Sequence, residues 1–295
     1  MSAADGDADG LIDLASLDGT NGYILYGIRD YDESGISVAS GDVNNDEIDD
    51  IIVGAHRAST NGTNAGETYV VFGGQLSSLD GADTNPTDGK TDFFYLDGTT
   101  GYKIRGDDNR GRSGYSVSAG DVDGNGYDDI VIGAFNAQID GNYRVGAAYL
   151  LFGDQLFTAD SNDGDADAII ELSILNGTTG FVLEGIESDD FAGRSVASGD
   201  VNGDAYQDLI IGAYKASPGG KTYAGETYIV FGNSNVGSSG IIELSSLNGD
   251  NGFSLYGTDN GHESGSTVAA GDINGDGIDD VITGAPRVDT IDETE

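Results

Sequence analysis

The chain has 295 residues with 52 acidic against 12 basic side chains, a formal charge of -40. Most of its surface therefore repels nucleic acid and anionic membranes, and cations are the expected partners. Cysteine is absent, which excludes disulfides, thiol nucleophiles and thiolate metal sites, while 15 Tyr, 10 Phe and a 37 % hydrophobic content mark a folding chain.

Residues 1–10, MSAADGDADG, form an acidic segment with neither the basic nor the apolar stretch of an export signal. The longest apolar runs, such as AAYLLF at 147–152, are too short to cross a bilayer. An export address is expected outside this chain. Asp5, Asp7, Asp9, Gly10 and Asp13 fit D-x-D-x-D-G-x-x-D, and Asp163, Asp165, Asp167 and Glu171 echo them. The matching stretch near Ser238 lacks the acids, so both segments are read as linkers, with further ion-binding loops as the alternative.

From residue 11 onward four kinds of short segment recur in fixed order. NGYILYG (21–27) returns as TGYKIRG, TGFVLEG and NGFSLYG; SGISVAS (34–40) as SGYSVSA, AGRSVAS and SGSTVAA; AGETYVVFG (65–73) as VGAAYLLFG and AGETYIVFG. Between them GDVNNDEIDDIIVGA (41–55) returns as GDVDGNGYDDIVIGA, GDVNGDAYQDLIIGA and GDINGDGIDDVITGA. The first Asp of each acidic loop falls at 42, 121, 200 and 272, giving spacings of 79, 79 and 72. Each segment is rich in Val, Ile, Tyr and Phe and bounded by Gly, Asn or Asp, which reads as a strand with turn punctuation. No stretch keeps a helical period.

Four strands per unit, repeating at this length, suit an all-β fold, a β-propeller of four-stranded antiparallel blades with about four blades in this chain. A Greek-key sandwich is the alternative. The units run at about 11–90, 91–168, 169–240 and 241–295, the last stopping before a third strand. The pattern favours a piece of a longer array over a finished four-bladed ring. A closed form would pair Tyr23 to Gly27 with residues 265–285, across a poorly sealed seam.

The acidic loop reads D-x-[ND]-x-[DN]-x-x-[DQ]-D. Side-chain oxygens stand at positions 1, 3, 5 and 9: Asp42, Asn44, Asp46, Asp50; Asp121, Asp123, Asn125, Asp129; Asp200, Asn202, Asp204, Asp208; Asp272, Asn274, Asp276, Asp280. Position 7 (Ile48, Tyr127, Tyr206, Ile278) offers a backbone carbonyl. This is Ca²⁺ spacing, since the ion takes roughly six to eight hard oxygens at about 2.3–2.6 Å from a turning backbone. About four ions are expected. A solvated acidic turn is the alternative reading. At position 6, Gly126 and Gly277 suit an unusual backbone angle, whereas Glu47 and Ala205 do not, so loops 1 and 3 are expected to bind more weakly, with Glu47 available as an added ligand.

With VFG at 71–73, LFG at 151–153, VFG at 230–232, GA after every acidic loop and GAP at 284–286, the chain resembles FG-GAP repeats. Such repeats build the integrin alpha-subunit propeller and occur in bacterial surface and secreted proteins. The resemblance implies Ca²⁺ in the hairpin between the first two strands of each blade and an extracellular or cell-surface role in adhesion.

Nine of the twelve basic residues (Arg29, Arg57, Arg110, Arg112, Arg144, Arg194, Lys215, Lys221 and Arg287) fall in or next to connections on the face opposite the acidic loops. With Tyr31, Phe135, Tyr143, Tyr214 and Tyr223 they outline a surface for an anionic polysaccharide or a surface protein; solubilising loop charges are the alternative. Arg105-Gly106-Asp107 reads as an ordinary loop variant, and Asn61 and Asn176 head glycosylation sequons. His56 aligns with Phe135, Tyr214 and Pro286, which excludes a general base shared by all repeats. The leading reading is a non-enzymatic, calcium-binding adhesion or binding module; a polysaccharide lyase or glycosidase on a propeller, and a pure spacer, are the rivals.

Overall fold

The structure, a computed structural model, describes residues 13–83, 85, 88–162 and 166–288. The expectations for Asp5, Asp7, Asp9, Gly10, Asp163 and Asp165 lie outside the described residues. In chain order the elements are β1 (Ile24–Tyr26), β2 (Ser37–Gly41), β3 (Asp50–Ala55), β4 (Glu67–Val71), α1 (Leu76–Asp80), β5 (Lys90–Asp92) and β6 (Gly101–Arg105). There follow β7 (Ser116–Gly120), β8 (Asp129–Ala134), β9 (Ala147–Leu151), α2 (Leu156–Asn162), β10 (Ile169–Glu171) and β11 (Gly180–Glu184). The last are β12 (Ser195–Gly199), β13 (Asp208–Ala213), β14 (Glu226–Val230), β15 (Ile241–Glu243), β16 (Gly252–Tyr256), β17 (Thr267–Gly271) and β18 (Asp280–Gly284).

Three complete antiparallel blades result, β2-β3-β4-β6, β7-β8-β9-β11 and β12-β13-β14-β16. The hairpin β17-β18 holds the first two strand types of a fourth unit, and β1, a strand of the fourth type, pairs with β5 in a two-stranded sheet. The four segment types of the sequence therefore become the four strands in the expected order. Second strands lie mid-sheet with neighbours on both sides, so they carry unbroken apolar runs: Ile130, Val131 and Ile132 of β8 are all fully buried.

The sequence reading misses a fifth strand. β5, β10 and β15 are short outer strands that run parallel to the fourth strand of the preceding blade: β5 beside β1, β10 beside β6 and β15 beside β11. The stretch read as a linker at 163–171 thus ends in β10, and its Glu171 reaches the Arg105 guanidinium at 3.5 Å. Arg105 also pairs with Glu67 at 3.3 Å, which ties the arginine of the Arg105-Gly106-Asp107 tripeptide into the sheet.

The core lies between blades. Ile52, Val70 and Ile104 of the first pack with Ile130, Ile132 and Leu151 of the second, and Val131, Leu150 and Leu183 of the second with Leu209, Ile211 and Tyr228 of the third. The glycine of the GA pair permits the close stacking: a Cβ at Gly54, Gly133 or Gly212 would lie 1.9, 2.2 or 2.1 Å from the carbonyl oxygen of Gly114, Gly193 or Gly265 in the next blade. The innermost strands pack in series, β2 on β7, β7 on β12 and β12 on β17.

The series forms an open arc. The alternative, closure of Tyr23 to Gly27 on residues 265–285, does not form: β1 pairs with β5, while β17 and β18 pair only with each other among the described residues. The uncovered end shows in the exposure of one repeat position: Val38 of β2 is 67 % exposed, against 7 % for Val117 and 5 % for Val196.

Candidate metal centre

Each hairpin between first and second strands carries one acidic loop, and all four share a backbone. Position 4 is left-handed (Asn45 φ 56°, Gly124 76°, Gly203 78°, Gly275 81°), as is position 6 (Glu47 67°, Gly126 90°, Ala205 71°, Gly277 89°). Glu47 and Ala205 thus take the glycine-favoured angle, at about 1–2 kcal/mol each. Whatever separates loops 1 and 3 from the others, it is not a different fold of the loop. The Glu47 side chain is exposed.

The turn is wound around the position 1 carboxylate. Asp121 accepts the N–H groups of Gly124, Asn125 and Gly126 at 2.8, 3.0 and 2.9 Å. Asp200 accepts those of Gly203, Asp204 and Ala205 at 2.7, 3.1 and 2.9 Å, and Asp272 those of Gly275, Asp276 and Gly277 at 2.6, 3.1 and 2.9 Å. Asp42 accepts from Asp46 and Glu47 at 2.9 and 2.8 Å. The position 5 side chains Asp46, Asn125, Asp204 and Asp276 take the position 7 N–H of Ile48, Tyr127, Tyr206 and Ile278 at 3.0, 2.8, 3.0 and 3.0 Å. At position 3, Asp123, Asn202 and Asn274 accept the position 5 N–H.

Position 9 reaches furthest. Asp50, Asp129 and Asp208 are fully buried. Each accepts the position 2 N–H (Val43 3.1 Å, Val122 2.9 Å, Val201 3.0 Å) and the N–H of the glycine that ends the VFG or LFG motif (Gly73 2.9 Å, Gly153 3.1 Å, Gly232 2.9 Å). One carboxylate thereby clasps three strands of a blade. Asp280 keeps only the first of these bonds, from Ile273 at 3.0 Å.

Burial works against the charge of these groups. It pushes the Asp129 carboxyl up to about 8 and those of Asp50 and Asp208 up to about 6, with the backbone donors pulling part of the way back. Asp123 is also raised by burial, whereas the exposed Asp272 is lowered, chiefly by the Gly277 N–H. The residues of loop 2 fit a hard divalent cation, and among the described residues theirs is the one hairpin whose carboxylates draw together this closely. One oxygen from each of Asp121, Asp123 and Asp129 lies within 4.8 Å of the others, and Oδ1 of Asn44 is buried with no hydrogen-bond partner. Such a cation supplies the positive charge that a desolvated carboxylate cluster lacks.

Position 8 has a part that spacing alone does not reveal. The Asp128 N–H donates to the Asp42 carbonyl at 3.0 Å while its Oδ2 accepts the Asp42 N–H at 2.9 Å; Asp279 treats Asp200 likewise at 2.8 and 3.0 Å. The Gln207 N–H donates to the Asp121 carbonyl at 2.9 Å. The second, third and fourth acidic loops are therefore each strapped to the one before.

On the opposite face the positive side chains are mostly engaged. Arg57 pairs with Glu33 at 2.8 Å, Arg144 with Asp189 at 2.7 Å and Arg287 with Glu263 at 3.1 Å. Rings of His56, Tyr115, Phe135, Phe191 and Tyr214 follow one another at 4.5–6.0 Å between centroids. The Arg194 guanidinium sits 4.7 Å from the Tyr115 centroid and 5.1 Å from that of Tyr214. Phe135, read from sequence as part of a contact surface, is a buried rung of this ladder. A cleft of about 340 Å³ remains open, lined by Asn109, Arg110, Asn136, Gln138, Tyr143 and Arg144.

The FG-GAP repeat family matches residues 34–71, 113–151, 192–230 and 264–294. Integrin alpha-5 of Xenopus laevis is 30 % identical over 268 residues, 88 % of this chain and 21 % of the integrin. Phosphatidylinositol-glycan-specific phospholipase D of Bos taurus is 29 % identical over 175 residues, 59 % of this chain and 19 % of that protein. The chain spans about a fifth of the length of these curated relatives. Among solved structures, a rhamnogalacturonan lyase aligns with a TM-score of 0.37 at 13 % identity, over 84 % of this chain and 39 % of that one. Four matched repeats, each falling on one blade or half-blade with its acidic hairpin, make this chain an FG-GAP repeat protein.

Proposed function

We propose that the chain is a calcium-stabilised, non-enzymatic binding module that works outside the cell, its hairpins holding about four Ca²⁺ ions on one face and its basic-aromatic face contacting a partner. The observation that carries the metal reading is the identity of four loop backbones, kept even where Glu47 and Ala205 must adopt left-handed angles. In loop 2 the oxygens of Asp121, Asp123 and Asp129 lie within 4.8 Å of one another, and the buried carboxylates of Asp50, Asp129 and Asp208 add charge that water does not solvate. The kinship with integrin alpha subunits supports a role in adhesion.

The experiment is elemental analysis and calorimetry on chelated and calcium-loaded protein. About four equivalents of bound calcium and a higher melting temperature are expected; equal melting with no bound metal would sink the reading. For the partner, an anionic polysaccharide suits the cleft of Arg110, Arg144, Tyr143 and three carboxamides, which can take carboxylate or sulfate groups and sugar hydroxyls together. Replacing Arg110, Arg112, Arg144 and Lys221 together with Ala is expected to abolish binding on a glycan array run in calcium. Unchanged binding rules out this face.

A further inference from the structure

We propose that Asp80, Asp83 and Asp88 form a further binding site for a hard divalent cation of the Ca²⁺ class, outside the hairpin loops, where α1 meets β5. One carboxylate oxygen from each lies within 4.8 Å of the others, a bound that Asp121, Asp123 and Asp129 also meet. The second observation is Asp80 itself. It is only 3 % exposed, its Oδ2 accepts the Gly89 N–H at 3.3 Å, and its Oδ1 is buried with no hydrogen-bond partner. A buried carboxylate oxygen left unbonded among two further carboxylates costs free energy unless positive charge comes to it. No ion pair joins a basic side chain to any of the three among the described residues.

The remaining oxygens are held in place locally. Asp83 Oδ1 accepts the Asn85 N–H at 2.7 Å, and Asp88 accepts the Lys90 N–H at 3.1 Å and the Asn85 side-chain amide at 2.5 Å. Three hard anionic oxygens with a carboxamide beside them match a Ca²⁺ donor set. Asp80 ends α1 and Asp88 stands two residues before β5, the strand that reaches back to β1. A bound ion would fasten that reach. Asp160 holds the matching place on α2, buried and accepting the Ile169 N–H at 3.2 Å, so the buried helix carboxylate recurs in the next unit.

The test counts calcium ions by native mass spectrometry in about millimolar Ca²⁺, comparing the full chain with Asp83→Asn/Asp88→Asn and with Asp121→Asn/Asp123→Asn. Both changes sit at half-buried positions away from the core, and Asp80 keeps its bond to Gly89. The maximum count is expected to fall by one in the first variant and, separately, by one in the second. Amide hydrogen exchange over residues 80–92 is expected to slow on adding Ca²⁺ to the full chain and not to the first variant. An unchanged count in the first variant, or the same slowing in it, overturns the proposal. A loss in the first variant alone leaves this site standing and removes the hairpin reading at loop 2.

Discussion

The second and fourth acidic hairpins share a sequence pattern and a backbone but differ in surroundings. Asp129 is sealed under the glycine of the LFG motif that follows β9, accepts two backbone N–H groups and is pushed up to about 8 by burial. Asp280 has no third strand above it among the described residues and accepts one. Its loop partner Asp272 is exposed and held below the ordinary carboxylate value by backbone donors. A motif thus sets the shape of a loop, while the neighbouring strand sets how much each carboxylate needs a counter-charge. On the proposed calcium reading, the interior hairpins depend most on an ion for stability.

Removing calcium should cost the fold the most. An ion present at about 10 to 100 times its Kd contributes roughly 1.4–2.7 kcal/mol per site, so four sites lost together are expected to lower Tm by more than about 10 °C. Hydrogen exchange should then loosen residues 120–134 more than residues 271–285, measured against the calcium-loaded chain. Equal loosening would show that burial does not govern the dependence.

Next in size is the single substitution. Asp129→Ala leaves the N–H groups of Val122 and Gly153 buried and unpaired, at about 1–3 kcal/mol each. A loss of about 2–4 kcal/mol is expected in urea unfolding. Asp280→Ala frees one exposed N–H and should cost under about 1 kcal/mol. Similar losses would mean that the third strand adds nothing.

The interior and the open end also differ in their response to pH. Asp190 and Asp32 hold one repeat position, and burial raises both carboxyls, Asp190 to about 7. For Asp190 the unfolded chain releases its proton near 3.8 while the folded state keeps it to about 7. Between those values the folded state binds more protons, so stability falls as pH rises. Asp190→Asn is expected to flatten that fall from about pH 4 to 7, since an amide oxygen still accepts the Glu187 N–H seen at 3.2 Å. Parallel curves for variant and parent would refute the assignment.

Much of this fold is legible in one sequence because the repeats put each strand in register with its sisters. DDIIVGA and AGETYVVFG announce central strands, and the acidic spacing announces the hairpin. The outer strands β5, β10 and β15 stay hidden: three residues long, they form by pairing with a strand about sixty-five residues earlier in the chain, such as Ile24 with Lys90, and local pattern carries no trace of that. Position 8 stays hidden for a related reason, because Asp128 acts on the neighbouring blade's Asp42 rather than on its own loop. Phe135 looked like a surface aromatic because exposure depends on Arg112 and Arg194 lying over its ring, a contact between distant loops.

At position 6 the backbone angle itself differs little between the buried and the exposed hairpin. Glu47 and Ala205 occupy φ 67° and 71°, where Gly126 and Gly277 occupy 90° and 89°. If the hairpin backbone is imposed by the N–H bonds to position 1, Glu47→Gly and Ala205→Gly relieve left-handed strain without moving the loop. Each should then raise metal-free stability by up to about 1 kcal/mol, partly offset by the added freedom of glycine in the unfolded chain. Gly126→Ala and Gly277→Ala should cost about as much, and, because the strain is local, should cost alike in the buried and the exposed hairpin. A larger loss at Gly126 would place the neighbouring blade, rather than the dihedral, in control of the turn.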